Sequence, residues 1–527
     1  MAPDTIQTIP KEGGDITYRH MVDEMEALGQ SEIQKAFDGA SVLITGGTGF
    51  LGKLLLEKLL RSCPGLHKLY ILIRPKKNKE IMKRLQEQFD DPLYERLRKE
   101  RPNFLEQVCI VEGDVGQLGL GLSEQDRTRI INEVEFIFHG AATVRFDEPL
   151  KTAVEINVRG TREMMTLARA CTKLKAIVHT STAYSNCIKR VIDEKFYEST
   201  LSGDKLIDIV ETVDENILNS ITPGLIGEFP NTYVYTKLAA EDIVNKYGKG
   251  LPVALFRPSI VIATAKEPIA GWIDNVYGPT GVVVGAALGL LRVLHAESRA
   301  LADLVPGDMV VNASVAAAWS TARHHNTQQP GDDHIPVYNY VSSEQKPLTW
   351  YNFMRYNEMY GLEVPSKQAI YYYIFLMTPS KFLYTLFTLF LHWIPAYIVD
   401  WIAVLIGKKP MLKKTYTKIG KFSEVIAYFA CREWKVYNRN TQNLFSELNE
   451  ADKQIFNFDM GSVEWGEYFR SYIRGIRLYL IKDPVETIPH GIRRYYVLRI
   501  IHYTVCTILA YISLRLIWAV TKYVLGF

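Results

Sequence analysis

Residues 41–62 read SVLITGGTGFLGKLLLEKLLRS, and no other stretch of the chain limits its fold as much. Five apolar or small residues make a buried strand. A glycine-rich turn follows, and then leucines recur at helical spacing. Gly46, Gly49 and Gly52 have the G-x-x-G-x-x-G spacing. Glycines are needed there so that the turn is tight and backbone N–H groups reach a pyrophosphate at the positive end of the helix. Strand, turn and helix stand in the order that a dinucleotide site requires. The turn residues Thr45, Gly46, Gly47, Thr48, Gly49, Phe50, Leu51 and Gly52 are therefore its candidates.

The alternation continues. LYILI, FIFHGAA, KAIVHTSTA and PVALFRPSIVIA are short apolar runs separated by helical patterns. This rhythm predicts an α/β fold, a doubly wound parallel sheet of the Rossmann type. The expected layout is an N-terminal extension over 1–37, a cofactor-binding domain over 38–345 with an acidic helical insert at 188–230, a helical domain over 346–490, and a membrane-anchoring tail over 495–527. With 527 residues, 47% of them hydrophobic and 23% charged, the chain suits two domains and is too apolar for disorder. The net charge of +3 comes without a Lys/Arg stripe, which argues against a nucleic-acid partner. Six scattered cysteines have no CxxC pairing and read as reduced thiols; no cluster has metal-ligand spacing, so no metal is expected. The first forty residues hold no apolar run behind a basic start, so no cleaved signal peptide is expected.

Two stretches have membrane character. Residues 382–406 are long enough to cross a bilayer, yet they contain Pro395 and Asp400, so a span, a helix packed in protein and a helix dipping into one leaflet are all compatible. Residues 500–520 follow Arg493, Arg494 and Arg499 and form the better anchor, with the body on the cytosolic side.

Cofactor choice falls at the end of the second strand. An NAD enzyme places a carboxylate there for the ribose 2′-hydroxyl. This chain has Arg74, Lys76 and Lys77, which would pair with a 2′-phosphate, so NADPH is expected. Asp114 is placed to accept from the adenine amine, and Ala141 and Ala142 are small enough for the nicotinamide ribose to approach.

Tyr233-Val-Tyr-Thr-Lys237 sets a phenol and an ammonium four apart on one helix face, downstream of a strand ending in Ser181 and Thr182. Hydride delivery to a carbonyl leaves charge on oxygen, which Tyr233 can neutralise if Lys237 lowers its pKa. Thr182 or Ser181 would align the substrate oxygen. Asn157 either anchors a water leading to Lys237 or caps structure. His139 and His179 read as hydrogen-bonded structural histidines at the sheet end.

The glycine turn, the Tyr-x-x-x-Lys pair and Arg257-Pro-Ser-Ile-Val261 resemble the extended short-chain dehydrogenase/reductase superfamily. Glu267-Pro-Ile-Ala-Gly-Trp-Ile-Asp-Asn275, Gly278-Pro279, Ala302-Asp-Leu-Val-Pro-Gly-Asp-Met-Val-Val-Asn312, Arg432-Glu-Trp-Lys435, Phe456-Asn-Phe-Asp459 and Trp465-Gly-Glu-Tyr468 resemble the fatty acyl-CoA reductases more narrowly. The resemblance implies reduction of a long-chain acyl-CoA to a primary alcohol by two NADPH through an aldehyde. It also implies catalytic positions at Tyr233, Lys237 and Thr182 or Ser181, a cofactor contact at Pro258, membrane lipid as a partner, and a homodimer as one compatible assembly. Gly307 departs from the small branched residue expected there. The final Val-Leu-Gly-Phe527 is not a peroxisomal address, which sets the endoplasmic reticulum ahead of the peroxisome. Two alternatives stand beside this reading. One is a membrane-bound hydroxysteroid dehydrogenase or epimerase of the same superfamily, and the other a non-catalytic lipid-binding relative.

Overall fold

The computed structural model describes residues 30–75, 80–325 and 333–526. Seven parallel strands form its main sheet: β1 (Ser41–Thr45), β2 (Lys68–Ile73), β3 (Val108–Glu112), β4 (Phe136–His139), β5 (Ala176–Thr180), β6 (Val253–Pro258) and β7 (Val337–Tyr340). Their order is β7-β6-β5-β4-β1-β2-β3, and each neighbouring pair is in parallel register. Strand order reverses between β1 and β4, which opens a crevice beyond their carboxyl ends. All five residues of β1 and all six of β6 are buried, as a sheet covered on both faces demands.

Three helices position the crevice residues. Helix α1 (Phe50–Ser62) leaves β1 through the glycine turn and buries Leu54, Leu55, Leu56, Leu59 and Leu60. Helix α2 (Thr232–Tyr247) starts at Asn231, whose side chain accepts from the Val234 N–H at 3.1 Å. Helix α3 (Gly307–His325) is buried over most of its length. Gly307 opens it in tight quarters: a Cβ there would lie 2.8 Å from Leu54 Cδ1 and 3.1 Å from the Phe50 ring, so the branched residue expected at this position would require those side chains to move.

The described residues form two compact units, those up to 272 with those of 301–348 and 433–468, and those of 273–300 with 349–432 and from 469 onward. This differs from the expected contiguous cut at residue 345. Segment 433–468 belongs to the sheet unit because Lys435–Val436 pairs with Val191–Ile192, and Trp434 Nε1 donates to the Cys187 carbonyl at 2.8 Å. Asp452 accepts from the N–H groups of Glu32 and Ile33 at 3.2 Å each. Apolar texture shows that a segment is buried; it does not show against what. The insert contributes helices Gly203–Thr212 and Glu215–Ile226, and the first packs on α2, where a Cβ on Gly203 would meet Ile243 at 2.6 Å.

The second unit is helical, with one short strand pair, Val293–His295 beside Leu376–Thr378. Its long elements are α4 (Lys381–Leu405), α5 (Leu412–Ala430) and α6 (Ile488–Leu525). The α4 segment, 25 residues, and the 41-residue segment Val485–Leu525 that contains α6 are each long and apolar enough to cross a membrane. Both expose most of their apolar side chains, which rules out the core-helix reading of 382–406 within this unit.

Candidate active site

The glycine turn approaches the backbone beyond β4 closely. Gly46 has φ +78°, and a Cβ on it would come within 2.9 Å of Ala141 N. A Cβ on Gly52 would sit 2.1 Å from the Gly46 carbonyl oxygen, so no larger residue is compatible with this turn. Gly49 caps α1 without a side-chain hydrogen bond. The first-turn N–H groups of a helix lack intrahelical acceptors, and they and the dipole favour an anion there. The cradle and the uncapped helix start fit a dinucleotide pyrophosphate.

Around that cradle the other expected contacts separate into exposed and structural residues. Thr48 is exposed, and Leu51 and Ala142 are half-buried. The Gly47 Cα faces Ile71, whose Cγ2 a Cβ would meet at 2.7 Å. Thr45 Oγ1 lies 2.8 Å from His139 Nδ1 and accepts from Ala141 N at 3.2 Å, which ties the ends of β1 and β4 together. The Phe50 ring stacks on Trp272 at 5.5 Å. Pro258 closes β6 and is buried.

Arg74 leaves the end of β2 exposed, with its Nε 3.9 Å from Asp114 Oδ2 beyond β3. Asp114 Oδ1 accepts from Gly116 N at 3.0 Å. The sheet thus brings together the two residues expected at the adenosine end; Lys77 lies outside the described residues.

Thr182, Tyr233 and Lys237 meet past the carboxyl end of β5. The Thr182 side chain acts on the Tyr233 phenol, opposing its upward pKa shift, and Lys237 Nζ donates to the Thr180 carbonyl at 2.6 Å. Ser181 is turned away. Its hydroxyl donates to Glu241 Oε1 at 2.5 Å, beside that of Ser185 at 2.8 Å. Of the two hydroxyls the sequence offers, only that of Thr182 acts on the phenol.

The electrostatics differ from expectation. Burial pushes the Tyr233 phenol up to about 12, opposed by the Thr182 side chain, and Lys237 is not among the groups acting on it. Burial also pulls the Lys237 ammonium down to about 8, opposed by the Glu241 carboxylate. The ammonium is committed to the Thr180 carbonyl, and desolvation outweighs attraction, so Lys237 does not acidify the phenol.

Asn157 likewise makes structural bonds. It accepts from Thr143 N at 2.9 Å and donates to the Thr143 carbonyl at 3.3 Å and to Thr236 Oγ1 at 3.0 Å. His139 is held by Thr45 and by Thr161 Oγ1 at 3.3 Å, and burial pulls it down to about 3, so it stays neutral. His179 corrects the expectation of a hydrogen-bonded residue: neither ring nitrogen has a partner among the described residues. Burial, the Lys237 charge and His139 keep it neutral too.

Two buried ion clusters were not read as such from the sequence. Arg257 Nε and Nη2 donate to the two oxygens of Glu241 at 2.9 and 2.5 Å, and both side chains are almost fully enclosed. Glu241 stands four residues after Lys237, so the i, i+4 spacing was the available signal. Glu267 accepts from Lys58, Arg61 and Asn312, and Asp308 accepts from the N–H groups of Ala265, Lys266 and Glu267. The motifs that begin at Glu267 and Ala302 thus meet in space and, through Lys58 and Arg61, fix the C-terminal half of α1.

Comparison with known proteins agrees with this geometry. A family model described as the male sterility protein NAD-binding domain matches residues 44–314, and a second male sterility model matches 391–483. Fatty acyl-CoA reductase wat of Drosophila melanogaster is 41% identical over 493 residues, 94% of each chain. Human fatty acyl-CoA reductase 1 is 39% identical over 484 residues, 92% of this chain and 93% of its own. In fold, the terminal reductase domain of the myxalamid pathway superposes with a TM-score of 0.54 at 20% identity, covering 89% of this chain and 99% of its own. The reductase domain of a Mycobacterium tuberculosis non-ribosomal peptide synthetase gives 0.52 at 18%, covering 88% and 98%. With a reductase-type nicotinamide-binding sheet and relatives of this identity along nearly its whole length, the chain belongs to the fatty acyl-CoA reductase family and is a reductase.

Proposed function

We propose that this protein reduces a long-chain fatty acyl-CoA to the primary alcohol with NADPH, by way of the aldehyde. The observation that carries the chemistry is the placing of Thr182, Tyr233 and Lys237 together, with Thr182 acting on the phenol and Lys237 bound to the Thr180 carbonyl, at the carboxyl end of the strand next to the switch point. The turn from Thr45 to Gly52 and the start of α1 would hold the pyrophosphate, Arg74 and Lys77 the 2′-phosphate, and Asp114 the adenine. Ala141, Ala142 and Pro258 would flank the nicotinamide ribose. When bound, NADPH supplies hydride.

The chain supplies the proton and the alignment. The neutral Tyr233 Oη donates to the substrate oxygen as charge develops on it, and a phenol held at about 12 is a full proton carrier at neutral pH. Thr182 Oγ1 orients that oxygen. Lys237, while protonated, holds the ribose by donating to its hydroxyls. In the first step the thioester carbonyl takes hydride and the phenol's proton to become a hemithioacetal; its hydroxyl proton then returns to the phenolate as the carbon–sulfur bond breaks, releasing aldehyde and CoA as the thiolate, which takes a proton from solvent. In the second step the aldehyde oxygen takes its proton from the same phenol. Glu241 and Arg257 fix α2 against β6 and act as positioning residues.

The test is to incubate purified protein with NADPH and acyl-CoAs of varied length and to follow alcohol, aldehyde and free CoA. Two NADPH consumed and one CoA released per alcohol supports the reading; CoA released with no NADPH consumed refutes it.

A further inference from the structure

Helices α4 and α5 form a hairpin whose two arms differ in chemistry. The tip turns at Gly407, φ +73°. Asp400 closes it: Oδ1 accepts from the N–H groups of Met411 and Leu412, and Oδ2 from that of Lys413, each at 2.9 Å. The one carboxylate in the apolar stretch is thus spent as the N-terminal cap of α5. Further back, the His392 ring stacks on Tyr416 at 4.7 Å, so the arms run antiparallel. Both arms are tied to the rest of their unit: Arg292 N donates to His392 Nε2 at 3.0 Å and Glu297 N to the Ala430 carbonyl at 3.0 Å.

The outgoing arm is apolar and exposed, with Phe382, Phe390, Ile398, Trp401 and Leu405 uncovered within this unit. The returning arm is basic. Lys408, Lys409, Lys413, Lys414, Lys418 and Lys421 are all exposed, and none forms an ion pair among the described residues. Glu424 is the single acid between residues 401 and 430. Lys414, Lys418 and Lys421, at i, i+4 and i+7, share one face of α5.

If α4 crossed a bilayer, α5 would have to cross back beside it, carrying four ammonium groups without ion-pair partners into hydrocarbon. That is costly for a helix with no aqueous cavity to face. An apolar helix paired with a cationic one instead matches the layered boundary of a lipid surface, acyl chains below and anionic headgroups above.

We infer that the α4–α5 hairpin lies in one leaflet of an anionic lipid surface, with α4 at the acyl boundary and the α5 lysines on phosphate or carboxylate headgroups, and that it does not span. The inference is independent of the catalytic reading.

The test uses the full chain in sealed vesicles. A Cys506→Ser background carries two added cysteines, Pro410→Cys at the hairpin tip and Glu450→Cys on the sheet unit, and is treated from outside with a membrane-impermeant maleimide. The hairpin predicts chains labelled at both positions at once. Chains labelled at one or the other, or never at the tip, overturn it. For the charge, a polarity-sensitive fluorophore attached to the thiol of the Pro410→Cys variant should shift further to the blue with phosphatidylserine vesicles than with phosphatidylcholine alone. The extra shift should vanish in Lys414→Gln/Lys418→Gln/Lys421→Gln, whose surface changes leave the fold intact. Equal shifts in both vesicles would overturn the anionic-lipid assignment, as would a shift that follows added coenzyme A and not the lipid.

Discussion

The enclosed site of the sheet unit and the long helices of the helical unit handle charge and apolar surface in opposite ways. In the sheet unit, ionic groups are buried and matched: Glu241 with Arg257, and Glu267 with Lys58 and Arg61, at distances of 2.5 to 2.9 Å. In the helical unit the longest helices leave their apolar faces uncovered and the lysines beside them unpaired among the described residues. The first pattern belongs to a rigid site. Enclosed ion pairs give little net stability, but they tolerate one geometry only. The second pattern is the one that the proposed contact with lipid requires. The same apolar runs that mean core in one unit therefore mean boundary in the other, and what separates them is the company their charges keep.

That contrast can be broken hardest at the cradle. Gly52→Val places side-chain atoms where a Cβ alone would be 2.1 Å from the Gly46 oxygen, so cofactor binding should be lost outright. Nucleotide fluorescence titration checks this, with circular dichroism confirming that the sheet persists. Next in size, Glu241→Ala leaves the enclosed Arg257 guanidinium without its counter-charge. This should cost about 3–5 kcal/mol of stability, read by chemical denaturation. A Lys414→Ala control in the helical unit should change stability by less than about 0.5 kcal/mol.

Smaller effects sharpen the adenosine and proton-delivery ends. Arg74→Ala removes a charge-assisted contact to a 2′-phosphate and should raise the KM for NADPH about tenfold to a hundredfold while leaving that for NADH nearly unchanged. The pH profile tests Lys237, whose ammonium, held at about 8, is present below that value and lost as pH rises through it. Reduction should therefore fall above about pH 8, by roughly tenfold per unit at the limit. The stability effect has the opposite sign. Burying this ammonium opposes folding below about pH 8, and the penalty fades as pH rises from there toward the ordinary lysine value.

Much of this was legible in the sequence, for identifiable reasons. SVLITGGTGFLG fixes a strand, a turn without Cβ atoms and a helix start by local sterics alone, and Tyr233 and Lys237 share a helix face by spacing. What failed to show depends on packing. Ser181 and Thr182 are equal as residue types, and only the strand's exit direction sends one hydroxyl to Glu241 and the other to the phenol. The pKa of Tyr233 is set by burial that the Tyr-x-x-x-Lys pattern does not contain. The assignment of 433–468 to the sheet unit rests on one short strand pair and a few side-chain caps. Gly307, read as an unexplained departure, is crowded by two neighbours far away in sequence, Phe50 and Leu54.

The proposal stands or falls on the Tyr233 phenol, which is to deliver the proton without being needed to hold the nucleotide. Tyr233→Phe tests this most directly, with steady-state turnover and NADPH affinity measured on the same preparation. The account predicts a fall in kcat of about 10²–10⁴ with NADPH affinity within twofold of the parent. Turnover within a few-fold of the parent would contradict it.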